Sequence, residues 1–220
     1  MSLLPHITWE SGASPQYAVI WLHGLGADAS DFLPVAQMLK LPQAVRYIFP
    51  HAPKQPVTIN GGYVMPAWYD IIATDQGRQS DESGIRASQA EIEKLIEQEK
   101  QRGIAAERIF LAGFSQGGAI ILHTGLRHAE RLGGLLALST YLPLAQHAAD
   151  EMTAAARGIS VFMAHGTHDP VIPIAQGERA AEQLTALGCK MEWHEYAMPH
   201  SLCAEEVAHI EAWLAHKMRG

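Results

Sequence analysis

Cysteine is almost absent. The chain carries two, Cys189 and Cys203, in no C-x-x-C pair, which rules out a disulfide framework. It also lacks a basic run, since 16 Lys and Arg stand against 23 Asp and Glu, for a formal charge of −7. Phosphate binding needs concentrated cations, so no nucleic-acid partner is expected, and electrostatic docking on anionic lipid is disfavoured on the same ground. No apolar run approaches the roughly 18 residues of a membrane span. The opening MSLLPHITWE has neither a basic n-region nor an apolar h-region, so no secretory leader is expected. A cytoplasmic protein with reduced thiols and no stable membrane insertion is the expectation. Repeats, low-complexity tracts and linker-like composition shifts are missing too, which favours one domain over residues 1–220.

What is present suffices for a sizeable core: 220 residues, 48% apolar and 18% charged. Apolar β-branched runs alternate with helical patterns. Tyr17–Leu22, Val45–Phe49, Arg108–Gly113, Gly134–Ser139, Ile159–Ala164 and Met191–Tyr196 read as strands. Helices are expected over Asp31–Leu41, Ser83–Arg102, Gln116–Gly125, Ile174–Leu187 and Glu205–Lys217. Near-continuous apolar strands separated by helices imply a mostly parallel sheet covered on both faces. The stretch from His51 to about Ser80 reads as irregular, but Tyr63, Met65, Trp68 and Tyr69 argue that it is ordered and packed on something.

Residues 113–117, Gly-Phe-Ser-Gln-Gly, match G-x-S-x-G with a strand before and a helix after. The pattern has a steric origin. A serine that stands clear of the backbone must sit on a strained strand-to-helix turn, and its flanking positions must be glycine to avoid clashes. The new helix also aims its first N–H groups at the site. Ser115 is therefore the candidate nucleophile. A serine needs a base, and in this architecture the partners follow in the order Ser, Asp or Glu, His. Asp169 lies in the turn after Ile159–Ala164, and His200 follows Met191–Tyr196, directly before the last helix. A turn or helix-cap role is the alternative for Asp169. Oxyanion donors are the backbone N–H groups of Leu25, in the Gly-rich loop His23–Asp28, and of Gln116. Acting through backbone, these two positions are expected to depend little on side-chain identity.

Other motifs are weaker. Gly24-x-Gly26-x-x-Ala29 fits a dinucleotide fingerprint, but no acidic residue occurs between Asp31 and Asp70 to hold a ribose. His165, His168 and Asp169 hint at a metal, yet no further ligand converges on them from sequence. Of the 12 histidines, His23 reads as a brace of the oxyanion loop, and most of the others as surface or packing residues. Met65 and Trp68 fit either the core or a substrate contact.

The chain resembles the phospholipase/carboxylesterase family, which includes bacterial carboxylesterases and acyl-protein thioesterases. The resemblance runs through VIWLHGLGADASDF, IFPHAPKQPVTINGGYVMPAWYDI, DESGI, GFSQGGA, LALSTYLP, HGTHDPVIP and MPHS. It implies an α/β-hydrolase fold without a large cap domain, Ser115, Asp169 and His200 as triad, and Leu25 with Gln116 as oxyanion donors. The reaction implied is hydrolysis of small to medium acyl esters, with thioesters or lysophospholipids as further substrates and no metal or cofactor. A homodimer is left open. One departure is Pro199, where the family pattern has glycine before the histidine. Only about twenty residues separate the strands ending at Ser139 and starting at Ile159, too few for a lid domain. An open apolar site beside Leu25, Met65, Trp68 and Val171 is expected.

Overall fold

The computed structural model describes residues 3–74 and 77–219. In chain order its strands and α-helices are β1 (His6–Glu10), β2 (Tyr17–Leu22), α1 (Leu33–Met38), β3 (Val45–Pro50), β4 (Lys54–Val57), β5 (Tyr63–Pro66), β6 (Ile71–Thr74), β7 (Gly77–Ser80), α2 (Glu82–Gln101), β8 (Ile109–Phe114), α3 (Gln116–Arg127), β9 (Gly134–Leu138), α4 (Ala145–Glu151), β10 (Ser160–Gly166), α5 (Ile174–Ala186), β11 (Lys190–Tyr196) and α6 (Ala204–Lys217).

Seven strands form one sheet in the order β1-β3-β2-β8-β9-β10-β11. β1 runs antiparallel to β3 and every other neighbour pair is parallel. The two-residue period of a strand explains the run YAVIWL, in which all six residues are buried. Ala18, Ile20 and Leu22 join the core on the side of α2 and α3, with Ile85, Ile92 and Leu95. Tyr17, Val19 and Trp21 face the opposite layer, with Phe32, Ile210 and Trp213. A strand buried on both faces has no polar side to display, which is why it reads as unbroken apolar sequence.

The six expected strands and five expected helices are all present, with shifted ends. α1 is shorter than the Asp31–Leu41 expected, spanning Leu33–Met38. Two features differ in kind. β1 adds an antiparallel edge, pairing His6 with Pro50 and Glu10 with Arg46. The segment after β3 is not irregular but holds two small antiparallel hairpins, β4 with β5 and β6 with β7. Between β9 and β10 the chain has room only for α4, and among the described residues no large cap covers the C-terminal ends of the parallel strands.

Candidate active site

Ser115 follows β8 with φ 54° and ψ −120°, a positive φ on a residue that has a Cβ. Such a conformation costs about 1–3 kcal/mol and persists only where the surroundings enforce it. They do so from three sides. The Ser115 N–H donates to Leu138 O at 2.9 Å, and its carbonyl accepts the Thr140 hydroxyl at 2.7 Å and the Ala119 N–H at 3.1 Å. The glycines do the rest by absence. A Cβ on Gly113 would lie 2.5 Å from the Gly117 carbonyl carbon, and one on Gly117 would lie 2.5 Å from His23 O. The elbow is thereby pressed against the loop that follows β2. Gln116 opens α3, where its N–H has no intrahelical partner and the helix end favours negative charge.

Asp169 lies in the turn after β10. Its Oδ1 accepts the N–H groups of Val171 and Ile172 at 2.8 and 2.9 Å. Its Oδ2 is 2.6 Å from His200 Nδ1. A carboxylate accepts, so Nδ1 carries the proton and Nε2 is the free base of the ring. The carboxylate serves both as turn cap and as imidazole partner, so the two readings of Asp169 are one arrangement. Burial pushes its pKa up, but the bonds from His200, Ile172 and Val171 outweigh this and hold it below the usual carboxylate value. Pro199 does not disturb this contact. The neighbouring loop is tied down by the His168 N–H on Met198 O at 3.1 Å and the Ser201 N–H on Pro199 O at 2.8 Å.

The loop of Leu25, the candidate oxyanion loop, is braced from behind. His23 Nε2 accepts the Ala52 N–H at 3.1 Å, so Nδ1 is the protonated nitrogen and donates to Gly24 O at 2.7 Å. Burial keeps this ring neutral, below its ordinary value. Trp68 Nε1 donates to His23 O at 2.9 Å, and the Trp68 carbonyl accepts the Ser88 hydroxyl. The side chain of Gln116 spans to the same segment: its Oε1 takes the Trp68 N–H and its Nε2 donates to Tyr69 O, each at 2.8 Å. Side-chain identity at Gln116 therefore does matter, contrary to the expectation from a backbone-only role. Nothing in the spacing of G-x-S-x-G signals this contact.

Leu25, Ser115, Gln116, Val171 and His200 line one cavity of about 1570 Å³. Val171 stands at its rim, 43% exposed. Met65 and Trp68, expected as substrate contacts, are not among its lining residues. Trp68 is 1% exposed and spent on the brace. Met65 packs behind the loop of Leu25, its sulfur 3.4 Å from where a Gly26 Cβ would be, and the Gly26 N–H donates to Pro66 O at 2.8 Å. Phe114, Tyr69 and Leu142 take their place in the apolar wall. Among the described residues no three His, Cys, Asp or Glu side chains gather in a way that could hold a metal ion.

The family model described as phospholipase/carboxylesterase matches residues 6–218. Acyl-protein thioesterase 1 of Mycosarcoma maydis is 42% identical over 221 aligned residues, covering 93% of this chain and 92% of that protein. Acyl-protein thioesterase 1 of Gibberella zeae is 40% identical over 211 residues, covering 91% and 90%. The crystal structure of Arabidopsis thaliana SOBER1 superposes with a TM-score of 0.85 at 29% identity, over 92% of this chain and 99% of that one. On these matches the chain belongs to the phospholipase/carboxylesterase family of ester-hydrolysing serine hydrolases.

Proposed function

We propose that this enzyme hydrolyses small to medium acyl esters and thioesters, lysophospholipids among them, by double displacement through an acyl-enzyme on Ser115. The observation that carries the reading is the joint presence in one cavity of a serine held at positive φ and a histidine whose far nitrogen is 2.6 Å from a buried carboxylate. Ser115 Oγ attacks the acyl carbonyl carbon while His200 Nε2 takes its proton. Asp169 orients the ring and stabilises the imidazolium that forms. The Leu25 and Gln116 N–H groups hold the oxyanion. The imidazolium returns the proton to the departing alcohol or thiol. Water then attacks the acyl-enzyme with His200 again as base, releasing the acid and restoring Ser115. Names of the two fungal relatives support the thioester arm. Breadth follows from the apolar wall and the missing cap, because modest apolar contacts discriminate weakly between acyl groups. We further read the chain as a single cytoplasmic domain.

Fluorophosphonate labelling located by mass spectrometry, with turnover of p-nitrophenyl esters and an S-acylated peptide, tests the assignment. Label on Ser115 and loss of both activities in Ser115→Ala are expected. Retained turnover in a folded Ser115→Ala variant would sink it.

A further inference from the structure

Gly177 is buried within the thirteen residues of α5, where alanine would ordinarily be the better helix former. A Cβ there would lie 2.5 Å from His165 Nδ1 and 3.2 Å from its Cε1. The helix forgoes a side chain and an imidazole fills the space. His165, near the end of β10, is wholly buried. Its Nε2 is 2.9 Å from Ile172 O and 3.4 Å from Asp169 Oδ2, the oxygen that meets His200. Both neighbours are acceptors, so Nε2 carries the proton, and the opposite nitrogen, Nδ1, has no partner. A buried ring with one fixed N–H and one orphaned nitrogen calls for an explanation.

We propose that His165 is a positioning residue: its Nε2–H fixes the Ile172 carbonyl, so that the same residue's N–H stays on Asp169 Oδ1 and the carboxylate stays turned toward His200 Nδ1. The inference rests on the triad reading above. Asp169 Oδ1 is already fixed by two backbone N–H groups. With the Ile172 carbonyl held by His165 at 2.9 Å, the peptide that grips Oδ1 cannot turn, and the His165 ring, 3.4 Å from Oδ2, closes the space into which the carboxylate would rotate. Burial keeps His165 itself neutral, and the charged or titratable groups acting on it are Asp169, His200 and Glu178 of α5.

Three variants test this: His165→Leu, which removes the donor; His165→Gln, whose amide retains one; and Gly177→Ala, which displaces the ring while leaving all three triad residues unchanged. The readouts are kcat and KM for a p-nitrophenyl ester, the acidic limb of kcat/KM against pH, and the downfield proton resonance of His200 Nδ1–H. Leu and Ala variants should lose about tenfold to a hundredfold in kcat at nearly constant KM, as misplacement at a distance does. Their acidic limb and the downfield resonance should move, and His165→Gln should recover most of the wild-type behaviour. Folded Leu and Ala variants with an unmoved limb and resonance would overturn the proposal, however far kcat falls. A Cβ on Gly177 would also lie 2.9 Å from the Trp193 ring, so Gly177→Ala is read beside Trp193→Phe, and should the Leu variant not fold, His165→Asn, which keeps a shorter amide donor, carries the comparison. Failure of the wild type to label at Ser115 would instead overturn the triad reading.

Discussion

Gln116 holds Trp68 by its backbone, accepting the Trp68 N–H on Oε1 and donating from Nε2 to the following carbonyl. One side chain thus couples the residue after the serine to the segment that braces the loop of Leu25. Gln116→Ala would strand the buried Trp68 N–H, a loss of about 1–3 kcal/mol. Urea denaturation should show that loss, and kcat should fall more than KM rises. Gln116→Glu, which sets a buried carboxylate oxygen against Tyr69 O, should cost at least as much as the alanine.

Asp169→Asn keeps an oxygen for the Val171 and Ile172 N–H groups but removes the charge opposite the imidazole. By analogy with other triads kcat should fall about 10⁴-fold with the fold unchanged. Circular dichroism beside steady-state kinetics checks both halves. A near-normal rate would assign the third role to another carboxylate.

Gly117→Ala sets a methyl 2.5 Å from His23 O and 2.6 Å from Leu22 O, both backbone atoms that cannot swing aside. Inactive or insoluble protein is expected. Thr140→Val is the mild counterpart. It removes the hydroxyl bond to Ser115 O but leaves the Ala119 N–H, at a cost of about 1 kcal/mol.

Stability should fall at both ends of the pH scale, for separate reasons. Glu206 is fully buried, and the weak pull of the Cys203 backbone on its carboxylate does not offset that burial. Burial pushes its pKa from 4.5 up to about 8. Its folded value lies above its unfolded one, so the stability linked to it is complete below 4.5 and is lost as pH rises through about 8. Glu206→Gln should raise the urea midpoint at pH above that value and leave it unchanged in acid. His123 works in the opposite sense. Burial, then Arg127 and Arg86, push it from 6.5 down to about 3. The unfolded chain accepts a proton that the folded one refuses, so stability is complete above 6.5 and is lost toward 3.

The parallel strands were legible because burial on both faces writes itself as uninterrupted Val, Ile and Leu. Ser115 was legible because the elbow demands glycine on either side, and Asp169 and His200 because each follows a strand in the expected order. β1 and the hairpins after β3 were not. Each strand has four or five residues, and pairing is set by partners distant in sequence or by a turn around Gly61 and Gly62 rather than by an apolar period. Trp68 and Met65 were ambiguous for a different reason. An aromatic in a long loop reads the same whether it faces the cavity or backs the wall behind it. Gln116 illustrates the reverse case, where a motif position marked as variable carries two buried bonds.

The three residues of the candidate triad hang from strands of unequal security. Ser115 follows β8, flanked on both sides by β2 and β9, whereas His200 follows β11, one of the sheet's two edge strands, whose partner among the described residues is β10. Edge segments open at lower free energy than the centre of a sheet. On warming, the base should therefore be released by local fraying while the serine elbow is still intact. Activity should disappear, reversibly, some degrees below the loss of far-ultraviolet circular dichroism, and amide exchange in β11 should outpace that in β8. The working ceiling of this enzyme is then set by the hold of one peripheral strand, so that added pairing there would extend its useful range without any change at the serine.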